Sequence, residues 1–195
     1  MDHNQAILLI IFILIKLITT VDIKCDPEIS SKGICKVMKV VIAKGDAVNY
    51  ININPNITTI DFSFCEMIKI PTQLFANFTK LDSIGVERVG LKQLLFNDLK
   101  DNHLLYFVLD NNGIKVLKNG VFKGNPLLKS MTISNNKLQK ISTNTFIGLS
   151  RLTFLWMDNN QIKAFSNGAL YHLTALDWLN LEYNNLTTIP KNLFK

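Results

Sequence analysis

Residues that build catalytic and metal sites are scarce in this chain. Its 195 residues include only three cysteines and three histidines, and His103 and His172 lie far apart in sequence. The cysteines lack the paired spacing of zinc sites. The H-E-x-x-H, G-x-x-x-x-G-K-S/T and G-x-S-x-G motifs of metalloproteases, nucleotide-binding loops and serine hydrolases are missing too. We therefore expect no enzyme activity, no metal and no cofactor. The alternative is an enzyme that depends on His172.

A hydrophobic run long enough to span a membrane is also lacking. The longest, Ala6–Ile18, is broken only by Lys16, and its length of about 13 residues falls short of the roughly 20 that a transmembrane helix needs. Such a run is typical of a signal peptide, to which we assign residues 1–24. Met1–Gln5 contains no lysine or arginine and Leu17–Asp22 offers no small-x-small cleavage site, so an uncleaved signal anchor is the alternative. Both interpretations predict export.

The cysteines are few but suit an exported protein. Cys25 and Cys35 follow the apolar run and precede the repeats described below. Because an exported chain meets an oxidising environment, we expect these two residues to form a disulfide that closes an N-terminal cap over residues 25–56. Such a cap would shield the first repeat from water. Cys65 is expected to be a buried, inert thiol.

Three N-glycosylation sequons agree with export. They begin at Asn56, Asn77 and Asn185, each with a threonine two residues later. One sequon can arise by chance, but three in a chain with an export signal favour passage through the secretory pathway. We therefore expect a secreted glycoprotein.

A period of 24 residues organises the rest of the chain. One unit carries Leu152, Leu155, Met157, Asn160, Ile162 and Phe165. Twenty-four residues later the same positions hold Leu176, Leu179, Leu181, Asn184, Leu186 and Ile189. Six units start at residues 57, 81, 104, 128, 152 and 176; the second is one residue shorter, and the last is truncated at Lys195. A repeat array that stops within a unit leaves its last core face uncovered, which favours a fragment of a longer protein.

The spacing follows the pattern L-x-x-L-x-L-x-x-N-x-L, and residues 57–195 resemble the extracellular leucine-rich-repeat superfamily. The resemblance implies an α/β-type leucine-rich-repeat solenoid, a horseshoe with a parallel β-sheet on its concave face and irregular or 3-10 turns on its convex face. The opening of the chain, with Cys25, Cys35 and the unit Ile57–Pro71, is similar to secreted insect leucine-rich-repeat proteins. Some members of that group act in innate immunity, pairing with other proteins to recognise pathogens.

Two ladders of side chains support this register. Asparagine ends the strand of four units, where its buried amide can bond to backbone groups of adjacent turns: Asn112, Asn136, Asn160 and Asn184. The nineteenth positions are apolar and should stack along the outer side of the core: Phe75, Leu99, Phe122, Phe146, Leu170 and Phe194.

The third, fifth, seventh and eighth positions of each unit should point out of the concave sheet, because side chains alternate along a strand. Both tryptophans of the chain fall at such positions on adjacent strands. Since large aromatic rings are frequent hot spots of protein interfaces, we predict a ligand-binding site there. Its members are Tyr106, Asp110, Phe154, Trp156, Asp158, Trp178, Glu182 and Tyr183. The alternative is that Phe154, Trp156 and Trp178 only pack on one another and stabilise the sheet.

The net charge of +6 gives weaker guidance. Many lysines, such as Lys115, Lys118, Lys140 and Lys163, fall in the segments that return between strands and should form a solvated surface. The alternative is binding to anionic glycans or membranes. The lysines are not interleaved with the aromatic platform that single-stranded nucleic acids need, so no nucleic-acid partner is expected.

Together these features predict a secreted, non-enzymatic recognition module that binds a protein partner through its concave face, and the resemblance implies a role in insect innate immunity. One alternative is the N-terminal part of a membrane receptor or adhesion ectodomain, with an apolar anchor of about 20 residues beyond Lys195. Another is a structural or inhibitory subunit of a stable complex. A membrane is expected as a partner only if the full-length chain carries an anchor.

Overall fold

The structure, a computed structural model, describes residues 20–25, 33–37, 41–42, 47–50, 53–63, 65–71, 73–99 and 102–195. The predicted apolar run Ala6–Ile18 lies outside these residues. Within them, no helix has the length and apolar character needed to cross a membrane.

Short β-strands make up most of the regular structure. Their bounds are β1 (Thr20–Ile23), β2 (Ile34–Lys36), β3 (Val41–Ile42), β4 (Ala47–Tyr50), β5 (Thr59–Asp61), β6 (Glu66–Met67), β7 (Ser83–Gly85), β8 (Tyr106–Val108), β9 (Ser130–Thr132), β10 (Lys140–Ile141), β11 (Phe154–Trp156), β12 (Ala164–Phe165) and β13 (Trp178–Asn180). The α-helix α1 (Leu74–Asn77) and a 3-10 helix (Phe96–Leu99) lie in the returning segments of the first two units.

Seven of these strands form one parallel sheet in the order β2-β5-β7-β8-β9-β11-β13. Neighbouring strands pair equivalent positions of successive units. Phe154 lies opposite Trp178, 24 residues on, whereas Ser83 lies opposite Tyr106, 23 residues on, as the shorter second unit requires. The remaining strands form three parallel pairs, β1–β4, β3–β6 and β10–β12. The predicted solenoid with a parallel sheet is confirmed.

The first strand of the sheet comes from the segment that the sequence suggested as a cap. β2 pairs with β5, with Cys35 opposite Ile60. Cys35, Val37 and Ile42 fill the apolar positions of this extra turn and are buried. The repeat pattern does not reveal the turn because none of the three is leucine and no asparagine ends the strand.

The predicted disulfide joins Cys25 to Cys35 and so links the end of β1 to the core of β2. β1 runs parallel to β4, in a register from Thr20–Ala47 to Ile23–Tyr50. Ile23 is buried in the same core as the repeats. Residues 20–24, which the sequence assigns to the export segment, are therefore part of the folded cap in this structure.

Buried asparagine side chains fasten each turn to the one before it. The Nδ2 of Asn136 donates to the carbonyl oxygen of Leu109 at 3.0 Å, and its Oδ1 accepts from the N–H of Ile114 at 3.0 Å; both partners belong to the preceding turn. Equivalent pairs of bonds are made by Asn112, Asn160 and Asn184. Because a buried backbone group without a partner is costly, these amides explain how the polar turn can sit against the core.

Where the asparagine is missing, neighbouring groups replace part of its bonding. Cys65 is buried, and its thiol donates to the carbonyl oxygen of Val37 in the preceding turn at 3.3 Å, as an asparagine amide does in later turns. Val89 offers no polar side chain, but its N–H donates to Asn112 Oδ1 at 3.2 Å. The ladder thus extends to the first units with altered chemistry.

The outer ladder is present in all but the last unit. The rings of Phe122 and Phe146 are fully buried and stacked, with centroids 6.2 Å apart and an interplanar angle of 14°. Phe194, in contrast, is 58% exposed while Leu193 beside it is buried. The prediction that Phe194 stacks in the core is therefore wrong. The last turn has no neighbour on one side, so its outer ring meets solvent.

Candidate binding face on the parallel sheet

The outward face of the main sheet carries three rows of side chains, because the parallel register aligns equivalent positions of successive strands. The aromatic row, which opens the strands, is Thr59, Ser83, Tyr106, Ser130, Phe154 and Trp178. The middle row is Asp61, Gly85, Val108, Thr132, Trp156 and Asn180. The acidic row, just past the strand ends, is Ser63, Glu87, Asp110, Ser134, Asp158 and Glu182.

Large rings concentrate between β8 and β13. Tyr106, Phe154 and Trp178 are 47%, 40% and 57% exposed. The Trp156 ring stacks on Phe154, with centroids 5.7 Å apart and an interplanar angle of 15°. The structure therefore brings Phe154, Trp156 and Trp178 together, as predicted, while Ser130 separates Tyr106 from Phe154. The rings pack on one another and also keep much of their surface in water.

The acidic row is oriented by hydrogen bonds. Asp158 accepts from the hydroxyl of Ser134 at 2.6 Å and from the side-chain amide of Asn159 at 2.8 Å. Asp110 Oδ1 accepts from the backbone N–H of Ser134 at 2.7 Å. Ser134 thus bridges the two carboxylates across three strands. At the far end, Glu87 lies 3.3 Å from the guanidinium of Arg88, which offsets its charge.

Asp110 has an unusual environment within this row. Burial raises the pKa of its carboxyl above the ordinary value, and the charges of Glu87 and Asp158 add to the effect. The Ser134 N–H and the nearby Thr132 hydroxyl act in the opposite direction. The Thr132 hydroxyl is buried beside the carboxyl without meeting hydrogen-bond geometry. In the described part of the chain, we find no hydrogen bond to Asp110 Oδ2.

A depression of about 320 Å³ opens between the two carboxylates. Its lining residues are Asp110, Thr132, Ser134, Asn135, Trp156 and Asp158. Sequence reasoning singled out the two aspartates and the tryptophan but not Thr132, Ser134 and Asn135. These three occupy outward positions of the fourth unit, so the period could have found them. Their small polar side chains give no signal of a site.

The last two predicted residues lie just past β13. Glu182 is exposed, and its N–H donates to Asn180 Oδ1 at 2.9 Å. Tyr183 is exposed and has a φ of +53°, in the left-handed region. The equivalent positions of earlier turns hold Asn111, Asn135 and Asn159 with the same conformation. Asparagine tolerates this region, whereas an aromatic residue is strained there.

The predicted glycosylation sites lie away from this face. Asn56, Asn77 and Asn185 are exposed, and none of them belongs to a strand of the main sheet. Among the residues whose structure is described, no group of three or more His, Cys, Asp or Glu side chains is arranged to hold a metal ion.

Comparison with known proteins identifies the repeat. A family model described as leucine rich repeat matches residues 102–162, which include β8, β9 and β11, and 129 chains of solved structures match the chain. The chain is a leucine-rich-repeat protein. A search of curated proteins found no match to this leucine-rich-repeat protein.

Three solved structures illustrate the likeness. This leucine-rich-repeat protein is similar to TLR13 in its complex with ssRNA13, with a TM-score of 0.73 and 19% identity over 92% of this chain and 26% of that one. It is similar to the leucine-rich repeat domain of mosquito APL1B, with a TM-score of 0.54 and 28% identity over 63% of this chain and 37% of that one. A chain of the mosquito LRIM1/APL1C complex gives a TM-score of 0.68 and 20% identity, over 86% of this chain and 32% of that one.

The predicted likeness to insect leucine-rich-repeat proteins is confirmed. The chain spans between about a quarter and somewhat more than a third of the length of these solved chains.

Proposed function

We propose that this leucine-rich-repeat protein is an extracellular, non-enzymatic recognition module whose concave face binds a protein partner at β8–β13. The observation that carries the proposal is the exposure of Tyr106, Phe154 and Trp178 in one row of one sheet. Rings held in water on a rigid sheet gain free energy when a partner covers them. Tryptophan and tyrosine are also the side chains that most often dominate protein interfaces.

The cap and the sequons support an extracellular setting. A disulfide between Cys25 and Cys35 persists in oxidising compartments and is rare in the cytosol. The sequon residues Asn56, Asn77 and Asn185 are exposed outside the strands of the main sheet. Glycans there would solubilise the flanks of the solenoid and leave the aromatic row open to a partner.

The similar structures support a protein partner in innate immunity. LRIM1 and APL1C, to which the chain is similar, were solved as a complex of two leucine-rich-repeat proteins, and the similar proteins include immune ones. TLR13 was solved with single-stranded RNA. The acidic row of Glu87, Asp110, Asp158 and Glu182 would repel phosphates, so we propose a protein rather than RNA for this face.

A capture experiment tests the proposal. The chain is secreted from insect cells, immobilised, and exposed to extracellular fluid of its own species. Proteins retained by the wild type should be lost with Trp156→Ala/Trp178→Ala. They should still be retained by Tyr171→Ala, which removes an equally exposed ring outside the main sheet. Circular dichroism and Tm show whether the double variant is folded.

Two results would contradict the proposal. One is an unchanged set of retained proteins after both indole rings are removed. The other is a large fall in Tm for the double variant, because the rings would then serve mainly to stabilise the sheet through the stack of Phe154 and Trp156.

A further inference from the structure

The concave face is negative although the chain as a whole is positive. From β5 to β13, the three rows contain the carboxylates Asp61, Glu87, Asp110, Asp158 and Glu182. They contain no lysine or arginine, while the sequence has a net charge of +6. Arg88 pairs with Glu87 at one end of the acidic row. The part of the row beside the aromatic rings therefore carries negative charge that no basic residue of the three rows offsets.

Within this part, the depression between Asp110 and Asp158 combines a charge with an open acceptor. Asp158 already accepts hydrogen bonds from Ser134 and Asn159, which fix its plane. Asp110 is held through Oδ1 by the Ser134 N–H. A donor that enters the depression would meet Asp110 Oδ2 and the outer lone pairs of Asp158 without displacing those bonds. Two carboxylates in one depression favour a cationic group over a neutral one.

The aromatic wall makes the choice of cation narrower. Trp156 lines the same depression and is backed by the Phe154 ring. An indole face attracts cations, and a planar guanidinium can stack on it while it donates to carboxylates at its edge. The ammonium of lysine is a compact, strongly hydrated charge that cannot stack in this way.

We propose that this depression receives an arginine side chain of the protein partner, with its guanidinium stacked on Trp156 and bonded to Asp110 and Asp158. The inference rests on the proposed function and names the chemistry of its partner: a segment that presents arginine. Phe154 and Trp178 then cover the flanking part of that segment. A polyanion such as RNA is the opposite occupant and would be repelled.

The two tryptophans provide a built-in reporter. They are the only tryptophans of the chain, and both lie on this face, so intrinsic fluorescence reports on ligands bound there. The probe is an acetylated and amidated Arg-Gly-Arg-Gly-Arg peptide. Its analogue with citrulline at each arginine keeps the shape and loses the charge. We expect a saturable fluorescence change with the arginine peptide, and binding at least about ten times weaker with citrulline or lysine in its place.

A charge-matched pair of variants tests the location. Asp110→Asn/Asp158→Asn should weaken binding of the arginine peptide by at least about tenfold, a difference of about 1.4 kcal/mol. Asp82→Asn/Asp177→Asn removes the same charge one position before the strands and should leave binding unchanged. Circular dichroism confirms that both variants are folded.

The outcomes separate this inference from the proposed function. Equal loss in both double variants, or equal binding of the citrulline peptide, would overturn the arginine site. So would a partner that is captured through the tryptophans but is indifferent to Asp110→Asn/Asp158→Asn, and the proposed function would then survive alone. A single-stranded RNA that binds more tightly to Asp110→Asn/Asp158→Asn would also overturn it. Binding of the arginine peptide without any captured protein would support the site and count against the proposed function.

Discussion

At the scale of single residues, Asn125 is an amide buried in the core without hydrogen bonds. It is 1% exposed, and neither its Nδ2 nor its Oδ1 has a hydrogen-bond partner. The next two turns place Leu149 and Leu173 at the equivalent position, and both are buried. An unsatisfied buried polar group costs about 1–3 kcal/mol. We therefore expect Asn125→Leu to raise the free energy of unfolding by about 1 kcal/mol in urea denaturation.

The preceding turn supplies the control. Asn102 occupies the same position, but its Nδ2 donates to the carbonyl of Leu99 at 2.5 Å and its Oδ1 accepts from the N–H of Leu104 at 2.9 Å. Asn102→Leu would leave two buried backbone groups unsatisfied, and should lower the free energy of unfolding by about 1–3 kcal/mol. If both variants shift the urea midpoint in the same direction, hydrogen bonding does not decide this position.

Asp110 should couple stability to pH. Burial raises the pKa of its carboxyl in the folded state, so the folded protein binds this proton more readily than the unfolded chain. The resulting stabilisation is present in acid and is lost as pH rises through the raised pKa. We expect Asp110→Asn to unfold at higher urea than the wild type at neutral pH, with the difference shrinking in acid. A variant less stable than the wild type at neutral pH would show that the carboxylate is favourable where it lies.

At the scale of elements, the turn that ends each strand requires a left-handed residue. Tyr183 has a φ of +53° there, while Asn135 has +55° and makes no printed side-chain demand on the turn's neighbours. The left-handed region costs about 1–2 kcal/mol for residues other than glycine and asparagine. Tyr183→Asn should raise the free energy of unfolding by about 1 kcal/mol, and Asn135→Tyr should lower it by a similar amount. Changes of the same sign in thermal denaturation would show that side-chain packing, not the backbone, decides.

The N-terminal strand makes a prediction about processing. β1 pairs with β4, and Ile23 is buried in the core, so cleavage just before Cys25 would remove a packed strand. We expect the chain secreted by insect cells to begin no later than Thr20, as measured by N-terminal sequencing. Ile23→Ala should then lower the free energy of unfolding of the secreted protein by about 2–5 kcal/mol. A mature N-terminus at Cys25 would contradict this prediction.

The sequence predicts the repeat elements well because their period is set by packing. Every strand from β5 to β13 in the main sheet begins at the third position of a 24-residue unit, where the alternation of buried and outward residues starts. β2 escapes prediction because Cys35 and Val37 fill positions that the pattern reserves for leucine. β1 escapes because an apolar segment near an export signal gives no sign that Ile23 pairs with a distant strand.

The candidate site could be predicted only in part. Alternation places Trp156 and Trp178 outward without knowledge of the fold. The depression depends on side-chain details that no period encodes, such as the Ser134 hydroxyl bonded to Asp158. The raised pKa of Asp110 depends on burial by neighbouring turns. These features arise from the height of each side chain above the sheet, which differs between residues at equivalent positions.

At the scale of the whole molecule, the predicted glycans and the binding face occupy different sides of the solenoid. Asn56, Asn77 and Asn185 are exposed outside the strands of the main sheet. We therefore expect enzymatic removal of N-glycans to increase electrophoretic mobility and to leave capture of the partner unchanged. Loss of capture after deglycosylation of a folded protein would place a glycan within the interface.

One substitution can move a glycan onto the face itself. Ser130 lies in the aromatic row between Tyr106 and Phe154, and Thr132 follows two residues later, so Ser130→Asn creates a sequon. A glycan at this point would stand over the rings and exclude a protein, and capture should be lost. Ser130→Gln adds a comparable side chain without a sequon and should retain capture. Partner binding by a Ser130→Asn protein shown by mass spectrometry to carry the glycan would mean that the partner binds elsewhere on the solenoid.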